Sequence, residues 1–184
     1  MKIVRITSED VSFFQQMASL LVEGFKDTGT PAWPDIEAGL KEVEEDLQDD
    51  HINFIAVDDN NIIQGWIGGI RKYDGNSWEL HPIVVNPEFQ RRGIGQTLVG
   101  VLEKAIKDLG GMNIFLGADD ENFRTTVSGI DLYPNVLEKL QKIENPGGHP
   151  YEFYQKVGFT IVGILPDANG LGKPDILMAK RVER

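Results

Sequence analysis

Two short stretches carry residues whose types and spacing could do chemistry. The first is Gln90-Arg91-Arg92-Gly93-Ile94-Gly95-Gln96-Thr97, where two glycines sit at the mouth of a long apolar-periodic segment. Glycines there let the backbone turn tightly, so that several N–H groups aim at one anion, and a helix dipole behind them adds to the pull. A phosphate or pyrophosphate is the natural guest of such a loop. A plain tight turn feeding a helix needs the same glycines, so the pair alone does not decide. The pattern is not a dinucleotide fingerprint, because Leu98 stands where the third glycine belongs, nor a P-loop, which ends in Gly-Lys-Ser/Thr. The second stretch is Trp78-Glu79-Leu80-His81-Pro82. If it is a strand, Glu79 and His81 share one face and Trp78 and Leu80 the other. Pro82 cannot donate to a ladder, so a bulge or a local loss of pairing is expected there.

These stretches need elements to hold them. Ile94, Leu98, Val101, Leu102, Ala105, Ile106 and Leu109 follow the spacing of one buried helix face, which Gly110-Gly111 ends. Upstream, Lys2 to Ile6 reads as a strand. Thr7-Ser8-Glu9-Asp10 then opens a helix to about Phe25, with Val11, Phe14, Met17, Ala18, Leu21 and Phe25 inward. Lys26 to Pro34 reads as a loop, and Asp35 caps a second helix carrying Ile36, Leu40, Val43 and Leu47. That helix also bears a dense run of acids, which a solvated face explains for the most part. Asn53–Val57 and Ile62–Ile70 form a hairpin about Asp58-Asp59-Asn60-Asn61, and Gly65, Gly68 and Gly69 point to a bulge or a close backbone approach. Ser77–Val85 and Asn113–Ala118 are strands flanking the long helix, a crossover that favours a parallel pair. Beyond lie a long insertion (residues 119–148, with a helix from Asn135 to about Lys142), a short helix closed by Gly158, and strands Thr160–Leu165 and Ile176–Lys180.

Composition narrows the function classes. A chain of 184 residues, 41% hydrophobic, suits one compact domain spanning 1–184. Its net charge of −11 argues against nucleic acid and anionic membrane as partners, since both demand a basic face. An acidic surface serves solubility, and it also suits a cationic small-molecule substrate. No apolar run is long enough to span a membrane, and Met1-Lys2-Ile3-Val4-Arg5 lacks the apolar stretch of a signal peptide, so a cytoplasmic protein is expected. Cysteine is absent, and three scattered histidines make no metal set, so no metal is expected.

Gln90, Gly93 and Gly95 match the Gln/Arg-x-x-Gly-x-Gly/Ala loop of the GNAT acetyltransferases, and the chain resembles that superfamily there. Phe153-Tyr154-Gln155-Lys156-Val157-Gly158-Phe159 is similar to a second GNAT segment, in the expected order. Trp78–Val85, Phe115–Asp120, Thr125–Tyr133, His149–Gly163, Leu165–Gly170 and Lys173–Ile176 look like one subgroup, the aminoglycoside 6'-N-acetyltransferases. The resemblance covers most of the chain after Trp78 and is looser before it, where acceptors are chosen.

The resemblance implies a mixed, mostly antiparallel α/β sheet with a splayed parallel strand pair, flanking helices, and acetyl-CoA as cofactor. Gln90, Arg91, Arg92, Gly93, Ile94, Gly95, Gln96 and Thr97 would cradle its pyrophosphate, and the backbone of Ile83, Val84 and Val85 would pair with its pantetheine arm. Tyr154 would stabilise or protonate the leaving thiolate. A primary amine arrives as an ammonium and must lose a proton before it attacks. Glu79, one hydrogen bond or one water away, would take that proton, with partial burial raising its pKa toward the useful range. Glu79 as a plain ammonium anchor or an exposed polar residue remains open, as does a positioning role for His81. Asp119 and Asp120 would contact a polycationic aminoglycoside, and Trp33 and Tyr73 would pack against its sugar rings. A homodimer is also implied. The same chemistry on a polyamine, a metabolite or a protein N-terminus is one alternative. A non-catalytic CoA sensor is another, disfavoured by the joint presence of Glu79 and Tyr154.

Overall fold

The computed structural model describes residues 1–26 and 32–182. Most of the loop expected between Lys26 and Pro34 therefore lies outside the described residues. The described residues fall into two compact units, 1–26 with 32–114 and 182, and 115–181. The expected class is found: a mixed, mostly antiparallel α/β fold with one parallel strand pair and flanking helices.

The first unit is built on strands β1 (Lys2–Ile6), β2 (His51–Val57), β3 (Ile63–Lys72) and β4 (Ser77–Val85), adjacent in that order and antiparallel. Helices α1 (Phe14–Phe25) and α2 (Ile36–Asp46) pack together, and α3 (Ile94–Asp108) packs on β2, β3 and β4. Met17, Leu21, Val43, Ile55 and Trp66 are fully buried in one core cluster. Val11 was expected on the buried face of α1 but is exposed. It sits in a 3-10 turn (Val11–Phe13), whose three-residue period takes it off the α-helical stripe. The predicted cap of α2 is present, with Asp35 Oδ1 accepting from the Ala38 N–H at 2.9 Å. On the inner side of α2 lie Gly39, Val43 and Asp46. Gly39 permits the close helix crossing, since a Cβ there would stand 2.9 Å from the Ala18 carbonyl oxygen.

The β3–β4 ladder carries the bulge expected from Pro82. Ile67 faces Ile83 and Gly69 faces Leu80, so Gly68 alone opposes both His81 and Pro82. A side chain on Gly68 would collide with the His81 carbonyl and with Asn53 Oδ1. The glycine therefore admits the strand that carries Glu79 and His81.

The second unit holds most of β5 (Asn113–Asp119), with β6 (Thr160–Leu165) and β7 (Asp175–Arg181) in the order β5-β7-β6. It also holds the short helices α4 (Val136–Leu140) and α5 (Tyr151–Lys156). The helix expected from Asn135 to Lys142 is only α4, five residues long. Much of the rest of the 119–148 segment is loop pinned by Asp120. That carboxylate accepts from the Arg124 N–H at 2.7 Å, the Thr125 N–H at 2.8 Å and the Thr125 hydroxyl at 2.7 Å.

Two outcomes follow. Gly68→Ala should lower stability by about 2–3 kcal/mol, because a Cβ meets backbone that cannot yield, and a denaturant titration measures it. For Asp120, burial alone would raise the pKa, but the hydrogen bonds from Arg124, Ser128 and Thr125 hold it below 3.8. A depressed carboxyl stabilises the fold above its unfolded pKa and loses that contribution as pH falls through the folded one. Asp120→Asn should therefore destabilise by about 2 kcal/mol at pH 7, and its gap from the parent should narrow below about pH 4.

Candidate active site

In the first unit, the two helix acids that face inward, Glu42 and Asp46, meet the polar face of β4. Glu42 uses both of its oxygens. Oε2 accepts from Trp33 Nε1 at 2.9 Å and Oε1 pairs with His81 Nε2 at 2.9 Å. The Trp33 and His81 rings consequently stand 6.2 Å apart, with Phe25 edge-on to Trp33 at 4.8 Å. Trp33 is buried in the core cluster rather than laid open, so it backs His81. Tyr73, by contrast, is 75% exposed in the turn before β4.

Beneath this pair lies Asp46, 2% exposed. Its backbone carbonyl accepts from Asn53 Nδ2 at 2.5 Å and approaches His51 Nδ1 at 3.0 Å, while Asn53 Oδ1 accepts from Trp66 Nε1 at 2.8 Å. Its side-chain Oδ2 is buried with no hydrogen-bond partner. Burial, with the charges of Glu42, Glu45 and Glu79, pushes the Asp46 carboxyl up to about 7 against the opposing pull of His81. Burial alone would lower the His81 pKa. The hydrogen bond to Glu42 and the charges of Asp46, Glu42 and Glu79 outweigh it, leaving the imidazole above its ordinary 6.5. Glu42 moves the other way, held low chiefly by its bond to His81.

Glu79 lies two residues before His81 on the same strand, half-buried, with the Lys72 ammonium 3.5 Å from its carboxylate. An ammonium thus already reaches Glu79 from solvent. Glu42 and Asp46 were hidden in the sequence by the acidic run around them. The signal was their spacing, four residues apart on the stripe of Gly39, Val43 and Leu47.

The loop from Gln90 to Gly93 is exposed, and a pair of positive φ angles shapes it, 60° at Arg91 and 83° at Gly93. Gln90 Nε2 donates to the Val85 carbonyl at 3.2 Å and Arg92 to the Glu88 carbonyl at 3.1 Å, tying the loop to the end of β4. Gly93 is the N-cap of α3, and the first intrahelical bond runs from Thr97 N–H to Gly93 O. The N–H groups of Ile94, Gly95 and Gln96 therefore lack intrahelical acceptors and suit an anion. Ile83 and Val85 are half-buried, whereas Val84 turns into the core.

In the second unit, Tyr154 lies on α5 with Phe153 at 5.3 Å and Phe159 at 5.9 Å, both edge-on, and Gly158 closes the helix with φ 97°. Burial pushes the phenol far above its usual range, so it stays neutral at physiological pH. Asp119 is exposed, and its Oδ1 accepts from Asn169 Nδ2 at 2.5 Å. Asp120, expected beside it as a substrate contact, is 1% exposed with its oxygens turned to the 124–128 loop, because burial of a carboxylate demands such donors.

Replacing Glu42 with glutamine should lower the His81 titration midpoint, followed by NMR, because an amide carries no charge to hold the imidazolium. A midpoint that stays put would show that the hydrogen bond does not set it. Residues 14–133 match the acetyltransferase (GNAT) family. The whole chain is similar to an aminoglycoside 6'-N-acetyltransferase solved with coenzyme A, at 38% identity over 100% of this chain and 98% of that one, TM-score 0.90. An aminoglycoside 6'-N-acetyltransferase from Enterococcus faecium is 40% identical over 100% and 98%, TM-score 0.89. An aminoglycoside 6'-acetyltransferase type Ii is 34% identical over 100% and 99%, TM-score 0.76. No curated protein matches the chain. With both the loop and the fold in place, the chain belongs to the GNAT acetyltransferase family, whose cofactor is acetyl-CoA.

Proposed function

We propose that the protein acetylates a primary amine by direct attack, and that its acceptor is the 6'-amino group of an aminoglycoside. The observation that carries this reading is the half-buried Glu79 carboxylate, already met by the Lys72 ammonium at 3.5 Å and standing two residues before His81 on one strand face, a place suited to an incoming ammonium. Full-length similarity to aminoglycoside 6'-N-acetyltransferases supports the same acceptor. The residues from Gln90 to Thr97, with the backbone of Ile83 to Val85, would hold acetyl-CoA, which supplies an acetyl thioester when bound. The N–H groups of Ile94, Gly95 and Gln96, which lack intrahelical acceptors, and the exposed arginines at 91 and 92 fit its phosphates.

In this reading Glu79 accepts the proton of the incoming ammonium, directly or through one water, and leaves a free amine lone pair. His81, held by Glu42, positions the amine. The backbone N–H of Ile83 donates to the reacting carbonyl oxygen. Tyr154 would donate its hydroxyl proton to the departing sulfur and regain one from solvent. Asp119 and Tyr73 would contact the rest of the aminoglycoside. We also place the protein in the cytoplasm as a homodimer, by analogy with that family. No helix among the described residues is long and apolar enough to cross a membrane.

A thiol-release assay with acetyl-CoA and kanamycin, neamine, spermidine or a basic peptide tests the acceptor. Turnover should require a free 6'-amine. Turnover on spermidine or peptide alone would move the acceptor and keep the chemistry. Tyr154→Phe and Glu79→Gln should each lower kcat by about a hundredfold, the usual reach of one acid or base. If Glu79→Gln leaves the pH–rate profile unchanged, Glu79 is an anchor and not a base.

A further inference from the structure

The cluster behind Glu79 includes a buried acid, Asp46, to which the acetyl-transfer reading gives no role. One ring nitrogen of His81 and one carboxylate oxygen each from Glu42 and Asp46 lie within 4.8 Å of one another. Glu42 and His81 are directly hydrogen-bonded. The Asp46 side chain bonds to neither, and its Oδ2 is buried without a partner. The nearest basic atom to that carboxylate is His51 Nδ1, 3.6 Å from Oδ1. A buried carboxylate oxygen without a donor is strongly unfavourable. Its separation from His81 and Glu42 is too long for a direct bond, yet short enough for all three groups to close on one shared atom.

The chemistry of that atom follows from the donors. One imidazole nitrogen with two carboxylate oxygens is a set favoured by borderline divalent ions, whereas Ca²⁺ and Mg²⁺ call for six or more oxygens. We propose that Glu42, Asp46 and His81 form a binding site for a divalent transition-metal ion, with Zn²⁺ as the ion of best fit. The ion has an entry route, since the side chains of His81 and Glu42 are 39% and 21% exposed while Asp46, at 3%, forms the floor. The surroundings already orient the ligands. Trp33 holds the second oxygen of Glu42, and Asn53 holds the Asp46 main chain.

On binding, the ion takes the place of the Nε2 hydrogen of His81. An imidazolium keeps its Nδ1 proton and releases the other to solvent, a protonated Asp46 releases its own, and Glu42 exchanges a hydrogen bond for a metal bond, so affinity rises with pH. Side-chain rotations that close the widest separation, at most 4.8 Å, by about 1.5 Å bring the donors to the roughly 3.3 Å spacing of a tetrahedral zinc shell. On the acetyl-transfer reading, occupancy removes His81 from the acceptor site. Zn²⁺ would then inhibit competitively with the amine and not with acetyl-CoA.

The test uses the full chain, stripped with chelator, titrated calorimetrically with ZnCl₂ in the absence of amine and acetyl-CoA. One ion per chain is expected, bound at least tenfold more weakly by Asp46→Asn and by Glu42→Gln, and unchanged by Glu44→Gln on the outer face of α2. As a second readout, Co²⁺ added to the parent protein should show the intense visible absorption of a low-coordinate nitrogen-containing site. The proposal is overturned by the absence of saturable binding, by equal binding to Asp46→Asn and the parent, or by a Co²⁺ spectrum like that of the hydrated ion. Because neither reactant is present, failure here would leave the acetyl-transfer reading standing, and failure of the acceptor panel would leave this site standing.

Discussion

The hydrogen bond between Glu42 and His81, 2.9 Å long, joins a helix to a strand across 39 positions of chain, and much of the first unit is arranged to permit it. Glu42 can reach His81 only if α2 lies close against α1, which Gly39 allows by having no side chain to strike Ala18. His81 can present its ring only if β4 bulges at Pro82, which Gly68 allows on the facing strand. Asp46, one helical turn along, is held by the Asn53 that also satisfies buried Trp66. Glycine at two crossings and asparagine at one junction thus set the geometry of a polar group of four acidic and basic side chains.

That arrangement gives the acidic residues different tasks. Most of the acids on α2 face water, where they contribute charge and little else. Glu42 and Asp46 face inward, and desolvation makes their charge consequential, so that the imidazole between them is drawn toward its protonated form. Glu79 keeps contact with solvent and already holds an ammonium, that of Lys72. The cluster is therefore graded from a half-buried carboxylate in contact with solvent to one that is fully buried. In the second unit Asp120 shows the same principle put to structural use, its charge absorbed by donors of its own loop.

Much of this was legible beforehand. The loop glycines, the α3 stripe and the Asp35 cap are local signals, each decided by backbone conformation or helical period within a few residues, and they stand where the sequence puts them, except that Leu109, expected on the buried face, is 60% exposed just past the end of α3. The Pro82 bulge and the glycines of β3 were legible for the same reason, since proline lacks a donor and glycine lacks a Cβ wherever they occur. The exposed Val11 was misread because a 3-10 turn and an α-helix share composition and differ in period. Helix α4 was overextended because a chain pinned by Asp120 and Asn145 follows its hydrogen bonds before its propensities.

The sequence by itself determined the glycine turn that opens α3, the strand that places Glu79 and His81 on one face, the absence of cysteine and the family to which the chain belongs, because these rest on local geometry and residue identity. Only the tertiary structure decided which acids of α2 turn inward, that Trp33 backs His81 rather than standing open, and that Asp120 is spent on its own loop. The physical reason is that desolvation belongs to a position in the fold. A carboxylate becomes a partner, a floor or a pin according to what surrounds it, and one written sequence of Glu and Asp residues does not distinguish the three.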